Sequence, residues 1–160
     1  MPEAPHKDAC DLLDADHIAV KHLFVEYARL AMAMPAQSVE QRTALATRIC
    51  DDLTVHAQIE EEIFYPELRR TVPDASDIVQ EGVEEHQEAK DLIARIRGLG
   101  SAGDKMDALV SELARAVEHH VKEERDELFP KARSARQLDL LALGERLRER
   151  RQALQGAVAA

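Results

Sequence analysis

Two short segments carry the residues best suited to chemistry: His56-Ala57-Gln58-Ile59-Glu60 and His120-Val121-Lys122-Glu123-Glu124. Residues four apart share one helical face, one turn apart, so each segment aims an imidazole and a carboxylate in the same direction. Neutral imidazoles and carboxylates are natural ligands for metal ions. A proline follows each histidine ten residues on, Pro66 and Pro130, so His, Glu and Pro repeat with one offset of 64. A looser echo, offset by 69, links Asp16-His17 and Lys21-His22-Leu23 to Glu85-His86 and Lys90-Asp91-Leu92.

Helices must position these groups. Of the 160 residues, 45% are hydrophobic and 32% charged, enough for a core and against disorder. Aromatics at 3% argue against a β-sandwich or barrel. The apolar pattern predicts helices over about 9–33 (Leu13, Val20, Phe24, Tyr27, Ala31) and 39–70 (Leu45, Ile49, Leu53, Ile59, Ile63, Phe64). Two more follow over about 75–98 (Ile78, Val79, Val83, Ile93, Ile96) and 104–132 (Met106, Leu109, Val110, Leu113, Val117, Leu128). Ser38 is the expected N-cap of the second helix, and Pro66 is expected to kink or interrupt its last turns. Ser134 is the expected cap of a fifth helix over about 135–153. Its arginines 146, 148, 150 and 151 read as a solvated, dipole-compatible helix end. The fold class is therefore all-α: an up-down-up-down antiparallel four-helix bundle with an additional C-terminal helix. Residues 1–8 read as a flexible tail, 9–133 as the bundle and 134–160 as the C-terminal helix and tail.

In such a bundle the chemistry converges. His17 falls in the stripe Leu13–Val20–Phe24, His86 in that of Val79, Val83 and Ile93, and both His-x-x-x-Glu pairs share faces with apolar neighbours. His17 lies 19 residues before the first turn, centred at 36, and His56 lies 20 after it. Both are thus roughly 30 Å from the turn and side by side. His86 and His120 lie 15 and 19 residues from a turn centred at 101, a mismatch of about 6 Å that loop residues partly absorb. Four His and two Glu in one core slice would cost several kcal/mol each if unpaired. Glu–His⁺ pairs are one remedy. A metal site satisfies all six at once. Six N/O donors without cysteine suit two six-coordinate ions; iron fits best, with manganese as runner-up.

His17, His56-x-x-x-Glu60, His86 and His120-x-x-x-Glu124, with Glu127-Leu128-Phe129-Pro130 behind them, resemble the hemerythrin-like family in its bacterial HHE cation-binding form. The resemblance covers about residues 9–132. It implies a non-haem di-iron centre with Glu60 and Glu124 as bridging carboxylates and the four His as terminal ligands. It also implies an oxo or hydroxo bridge and the binding of O₂ or a related small molecule. One feature departs from the family's oxygen carriers, which place a second His one turn from the first on the third helix. Here the positions one turn from His86 are Gly82, Val83, Ala89 and Lys90. Four His, two bridging Glu and a solvent bridge fill ten of twelve octahedral positions and leave two open. His22 and His119 sit about 140° from His17 and about 100° from His120, and so read as surface residues.

Two classes of function are compatible with this donor set. One is a binding protein for O₂ or NO, or a sensor or store of O₂, NO or iron. The alternative is a di-iron enzyme consuming hydrogen peroxide, catalase- or peroxidase-like. A metal-free helical interaction module is a third reading. Net charge of −10 disfavours a nucleic-acid partner. No apolar run reaches membrane-spanning length, no secretory signal is evident, and two Cys make no disulfide framework, so the expected location is the cytoplasm. Oligomeric state is open. Asp16 and Glu85, each preceding a ligand His, are candidates for hydrogen bonds near the site, and Glu61, Glu62 and Glu123 for peripheral acids. Phe24, Phe64, Tyr65 and Phe129 read as core lining, and His6 falls in the tail. If the six assignments hold, His56→Ala or Glu60→Ala each loses at least one iron per chain, read by metal analysis. Two irons and an unchanged absorption spectrum would disprove the assignment of that residue.

Overall fold

The computed structural model describes residues 7–159, with side chains through 156. All regular structure among them is helical. Four core helices run up and down: α1 (Ala9–Ala33), α2 (Val39–Ile59, continued by α3, Tyr65–Thr71), α4 (Ser76–Leu99) and α5 (Asp104–Glu123, continued by α6, Phe129–Ser134). A last helix, α7 (Leu140–Ala159), lies along the side formed by α1 and α2. Of the expected tail, residues 1–6, including His6, lie outside the described residues. Asp8 is instead the N-cap of α1, where its side chain and that of Asp11 form a reciprocal capping box.

The helix is interrupted ahead of each proline, as expected for Pro66, and the interruption is a π-turn. Residues Glu60–Phe64 and Glu124–Leu128 form one π-turn each, joining α2 to α3 and α5 to α6. The Tyr65 N–H donates to the Glu60 carbonyl and the Phe129 N–H to that of Glu124, each five residues back. Pro66 and Pro130 stand just behind these turns, within the first two positions of α3 and α6. A proline has no N–H to give, and its ring would press on the carbonyl four residues earlier. Widening the preceding turn by one residue relieves both problems and keeps the helix nearly continuous.

The two expected caps are corrected. Ser38 occupies the N-cap position of α2 but makes no side-chain cap. Its hydroxyl donates to the Leu30 carbonyl and accepts from Arg42 Nε. Arg42, buried, also donates to the Pro35 carbonyl and to Asp107 Oδ1, which accepts the Tyr27 hydroxyl as well. The first turn is thereby tied to the start of α5. Ser134 ends α6 rather than starting the fifth helix, which begins at Leu140 behind Asp139, whose carboxylate accepts the Ala142 N–H. Leu138 and Leu143, both buried in one cluster, bracket that start as a hydrophobic staple. Gly144 permits the close crossing of α7 over the start of α1: a Cβ there would lie 2.8 Å from the Lys7 carbonyl oxygen. The basic run is not wholly solvated. Arg150 Nε donates to Glu62 Oε2 at 2.7 Å and Arg151 Nη2 to Asp16 Oδ2 at 2.5 Å, so α7 is docked by charge as well as by Leu143 and Leu147.

The core falls into two apolar clusters. One gathers Leu13, Ile59, Phe64, Leu68, Val79, Leu128 and Phe129; the other gathers Val20, Phe24, Ile49, Leu92, Ile96, Met106 and Leu113. On every core helix a histidine stands where the chain passes from one cluster to the other. A polar layer therefore crosses the bundle between two dry halves. Leu147 is fully buried under α7. Leu147→Ala should cost about 2–5 kcal/mol, read as a lowered denaturation midpoint in urea.

Candidate metal centre

The polar layer contains His17, His56, Glu60, His86, His120 and Glu124, all buried, with Glu60 at 0% and Glu124 at 2% exposure. Their ligand atoms form two overlapping groups: His17, His56, Glu60 and Glu124, and Glu60, His86 and His120. His56 Nε2 lies 2.8 Å from Glu60 Oε1, His86 Nε2 lies 3.4 Å from the same oxygen, and His86 Nε2 lies 3.2 Å from His120 Nε2. Glu124 Oε1 lies 3.1 Å from His17 Nε2 and 3.3 Å from His120 Nε2. All six expected residues thus come to one level, and the register mismatch of the second hairpin leaves no gap between His86 and His120. His22 is exposed, and His119, with 64% of its side chain exposed, faces Glu85 and Glu123 at the surface.

These atoms are close without being satisfied. Both ring nitrogens of His17, Nε2 of His56, Nδ1 of His86, both carboxylate oxygens of Glu60 and Oε1 of Glu124 are buried with no hydrogen-bond partner. These atoms lie close enough to one another to share a cation, without the alignment that hydrogen bonds among them would need. The donor set fits a pair of cations, and each buried orphan is a group that a cation would satisfy.

The outer ring nitrogens are held from behind. Asp16 Oδ2 lies 3.0 Å from His56 Nδ1 and Glu85 Oε1 lies 2.8 Å from His120 Nδ1, both as hydrogen bonds. With Nδ1–H donated to these acids, the Nε2 lone pairs face inward. Asp14 and Glu61 approach Nδ1 of His17 and His86, each at 3.4 Å. Every imidazole thus has a carboxylate behind it. Asp14 is itself held by Arg125, Asp16 by Arg151 and Glu61 by Lys90.

The family model for the hemerythrin HHE cation binding domain matches residues 8–132. The chain belongs to the hemerythrin HHE cation-binding family. A curated relative from Nostoc sp., described as a DNA nickase, is 31% identical over 124 residues; these are 78% of the HHE chain but 33% of that protein. The crystal structure of an HHE cation binding domain-containing protein from Mycobacterium kansasii superposes with a TM-score of 0.76 at 22% identity, covering 94% of this chain and 89% of that one. At that identity the likeness is one of fold.

Beside the HHE centre lies a cavity of about 40 Å³, walled by His17, His56, His86 and His120, mostly by aliphatic side chains such as Leu53, Ala89, Ile93 and Val117, and by Glu85 and Lys90. It opens on the side of the second apolar cluster. The one hydroxyl on this wall, that of Thr54, is turned to the Cys50 carbonyl.

Tyr65 is the residue that sequence reasoning missed. Expected as core lining, it is buried with its hydroxyl 3.2 Å from Glu124 Oε2, to which it donates, and 3.4 Å from His120 Nε2. Counted along an α-helix, Tyr65 sits about 140° from Glu60 and off the ligand face. The π-turn adds about one residue to that turn and brings the ring back to the site. The available signal was the repeat itself: at the offset of 64, Tyr65 corresponds to Phe129, so one half carries a hydroxyl that the other lacks.

Electrostatics without a cation favour ion pairs. Burial opposes charging the His56 ring, yet Glu60 and Asp16 outweigh it and push the ring up to about 10. Burial likewise opposes charge on Glu60, but His56 holds its carboxyl well below the usual range. Burial, with Glu124 and Glu60, pushes the Tyr65 phenol well above its usual range. A raised histidine stabilises the fold fully below its unfolded value of about 6.5, and that contribution is lost as pH rises through about 10. Metal binding has the opposite sign, since it needs neutral imidazole. The stability difference between iron-loaded and metal-free protein should therefore widen as pH rises from about 6.5 to about 10, read by thermal melts of both forms across that range.

Proposed function

We propose that His17, His56, Glu60, His86, His120 and Glu124 hold two iron ions, and that the centre binds a small diatomic ligand of the O₂ or NO class. The first group of donors would hold one ion and the second the other, with Glu60 shared between them and Glu124, 3.3 Å from His120 Nε2, within reach of both. Bound iron supplies a centre that exchanges electrons with a small ligand at an open coordination position. The chain's own residues do the rest. Asp16 and Glu85 fix the tautomer and orientation of His56 and His120. The two apolar clusters exclude bulk water from the layer between them.

One observation carries the choice of ligand: the cavity of about 40 Å³ against the four imidazoles. A cavity needs roughly 10–15 Å³ to admit one water-sized probe, so this one has room for a molecule of only a few heavy atoms. Its wall is mostly aliphatic, Thr54 is turned to a carbonyl, and the two charged residues on it are engaged elsewhere, Glu85 with His120 and Lys90 with Glu61, which suits an apolar diatomic better than a peroxide. The two cysteines, both buried and free, suit the reducing cytoplasm we assign to the protein. The nickase description belongs to a relative of which this chain spans a third of the length, and that activity is not assigned here.

Anaerobic titration of the reduced, iron-loaded protein with O₂, and separately with NO, should give a saturable change in visible absorption at one ligand per iron pair. Ile93→Phe, which would fill the cavity, should weaken binding by at least tenfold while leaving two irons per chain. Oxygen evolution on adding hydrogen peroxide to the oxidised protein, without reversible ligand binding by the reduced form, would replace this reading with the enzymatic one.

A further inference from the structure

We infer that Tyr65 is a seventh protein donor to the centre, a phenolate ligand to the iron held by His86 and His120. The inference rests on the di-iron reading above and adds to it a ligand that the His/Glu set does not contain.

The first line of argument is distance. The Tyr65 oxygen lies 3.2 Å from Glu124 Oε2 and 3.4 Å from His120 Nε2. The expected ligand atoms of that same ion lie 3.2 Å (His86 to His120), 3.3 Å (His120 to Glu124) and 3.4 Å (His86 to Glu60) from one another. The phenol oxygen therefore sits as one more vertex of the same polyhedron. Its ring stacks on His86, centroids 5.4 Å apart and planes 17° apart, which fixes the side from which the oxygen enters.

The second is the space made for it. A Cβ on Gly82 would lie 2.8 Å from the Tyr65 oxygen and 3.5 Å from His120 Cε1. Gly82 is four residues before His86, on the ligand face of α4, where any side chain would collide with the phenol. The other half of the molecule shows what the same positions hold when no donor is needed. At the offsets of 69 and 64, Gly82 corresponds to Leu13 and Tyr65 to Phe129. Leu13 is fully buried, and Phe129 stacks on His17 with planes 9° apart. A leucine and a phenylalanine fill that slot with hydrocarbon. Around His86 the leucine becomes glycine, the phenylalanine gains a hydroxyl, and the freed volume is occupied by oxygen.

The third is placement relative to the ligand cavity. Tyr65 belongs to the first apolar cluster, whereas the cavity is walled by Leu53, Ala89, Ile93 and Val117, which pack in the second. Tyr65 thus closes the far end of the centre and leaves the cavity end free. One of the two open positions left by four His and two Glu is filled, and one remains for a small ligand. On coordination the phenol oxygen donates an electron pair to the ferric ion and its proton is released to solvent; the iron valence does not change.

The chain has only two tyrosines, and Tyr27 is bonded to Asp107 inside the second apolar cluster. A tyrosinate signature therefore reports Tyr65 alone. The full chain, loaded with ferrous iron and oxidised in air, should show a phenolate-to-iron charge-transfer band with tyrosinate ring vibrations enhanced in resonance Raman. Tyr27→Phe should keep the band, Tyr65→Phe should abolish it while retaining iron, and Gly82→Ala should shift it by crowding the oxygen. Two irons per chain without tyrosinate vibrations in the wild type, or vibrations that survive Tyr65→Phe, would overturn the assignment while leaving the di-iron centre intact. A wild-type chain that binds no iron would overturn both.

Discussion

Six polar side chains buried in one layer, close enough to one another to share cations, set the terms for the rest of this molecule. A carboxylate at 0% exposure with neither oxygen hydrogen-bonded is among the costliest groups a core can hold. The surroundings are consistent with a layer built to be satisfied by cations. The apolar core is split in two by it, the acids behind the imidazoles fix their orientation, and the extra helix is tethered by Arg151 to one of those acids. Stability and binding competence are therefore coupled in this fold: what the layer costs when empty is recovered when it is filled.

The two hairpins supply this layer by an approximate twofold repeat, visible in contacts as well as in sequence. Asp16 on α1 holds His56 on α2, and Glu85 on α4 holds His120 on α5. Phe129 stacks on His17, and Tyr65 stacks on His86. Each ligand glutamate opens a π-turn whose cause, a proline, lies six residues further on. The chemistry lies in the departures from the repeat. Glycine for leucine and tyrosine for phenylalanine bring a hydroxyl to one end of the centre, while the cavity at the other end is walled mostly by aliphatic side chains.

Much of this was legible in the residues. Helical periodicity, loop composition and the offset of 64 were enough to expect four long helices and the inward face of each histidine. Counting residues from the turns was enough to expect one common level. The hidden features share a cause: each depends on a change of helical phase or on a contact between segments far apart in sequence. The π-turns rotate Tyr65 onto the site, which an α-helical wheel places off it. Ser38 makes no side-chain cap because its hydroxyl is engaged by Arg42, which is itself held by the half-buried carboxylate of Asp107, 65 residues further on. The arginines of α7 found Glu62 and Asp16 because α7 packs along the bundle, a docking direction that its own sequence does not encode.

The residue order by itself determined the helices, their antiparallel connection and the six inward-facing donors, because periodicity and turn position are local quantities that translate directly into face and height. Only the tertiary structure decided which acid stands behind which imidazole, where a cavity opens beside them, and that the Tyr65 hydroxyl reaches Glu124 and His120. Those outcomes depend on the facing of side chains across helices and on one inserted residue per π-turn, and neither is written in the spacing of any single segment.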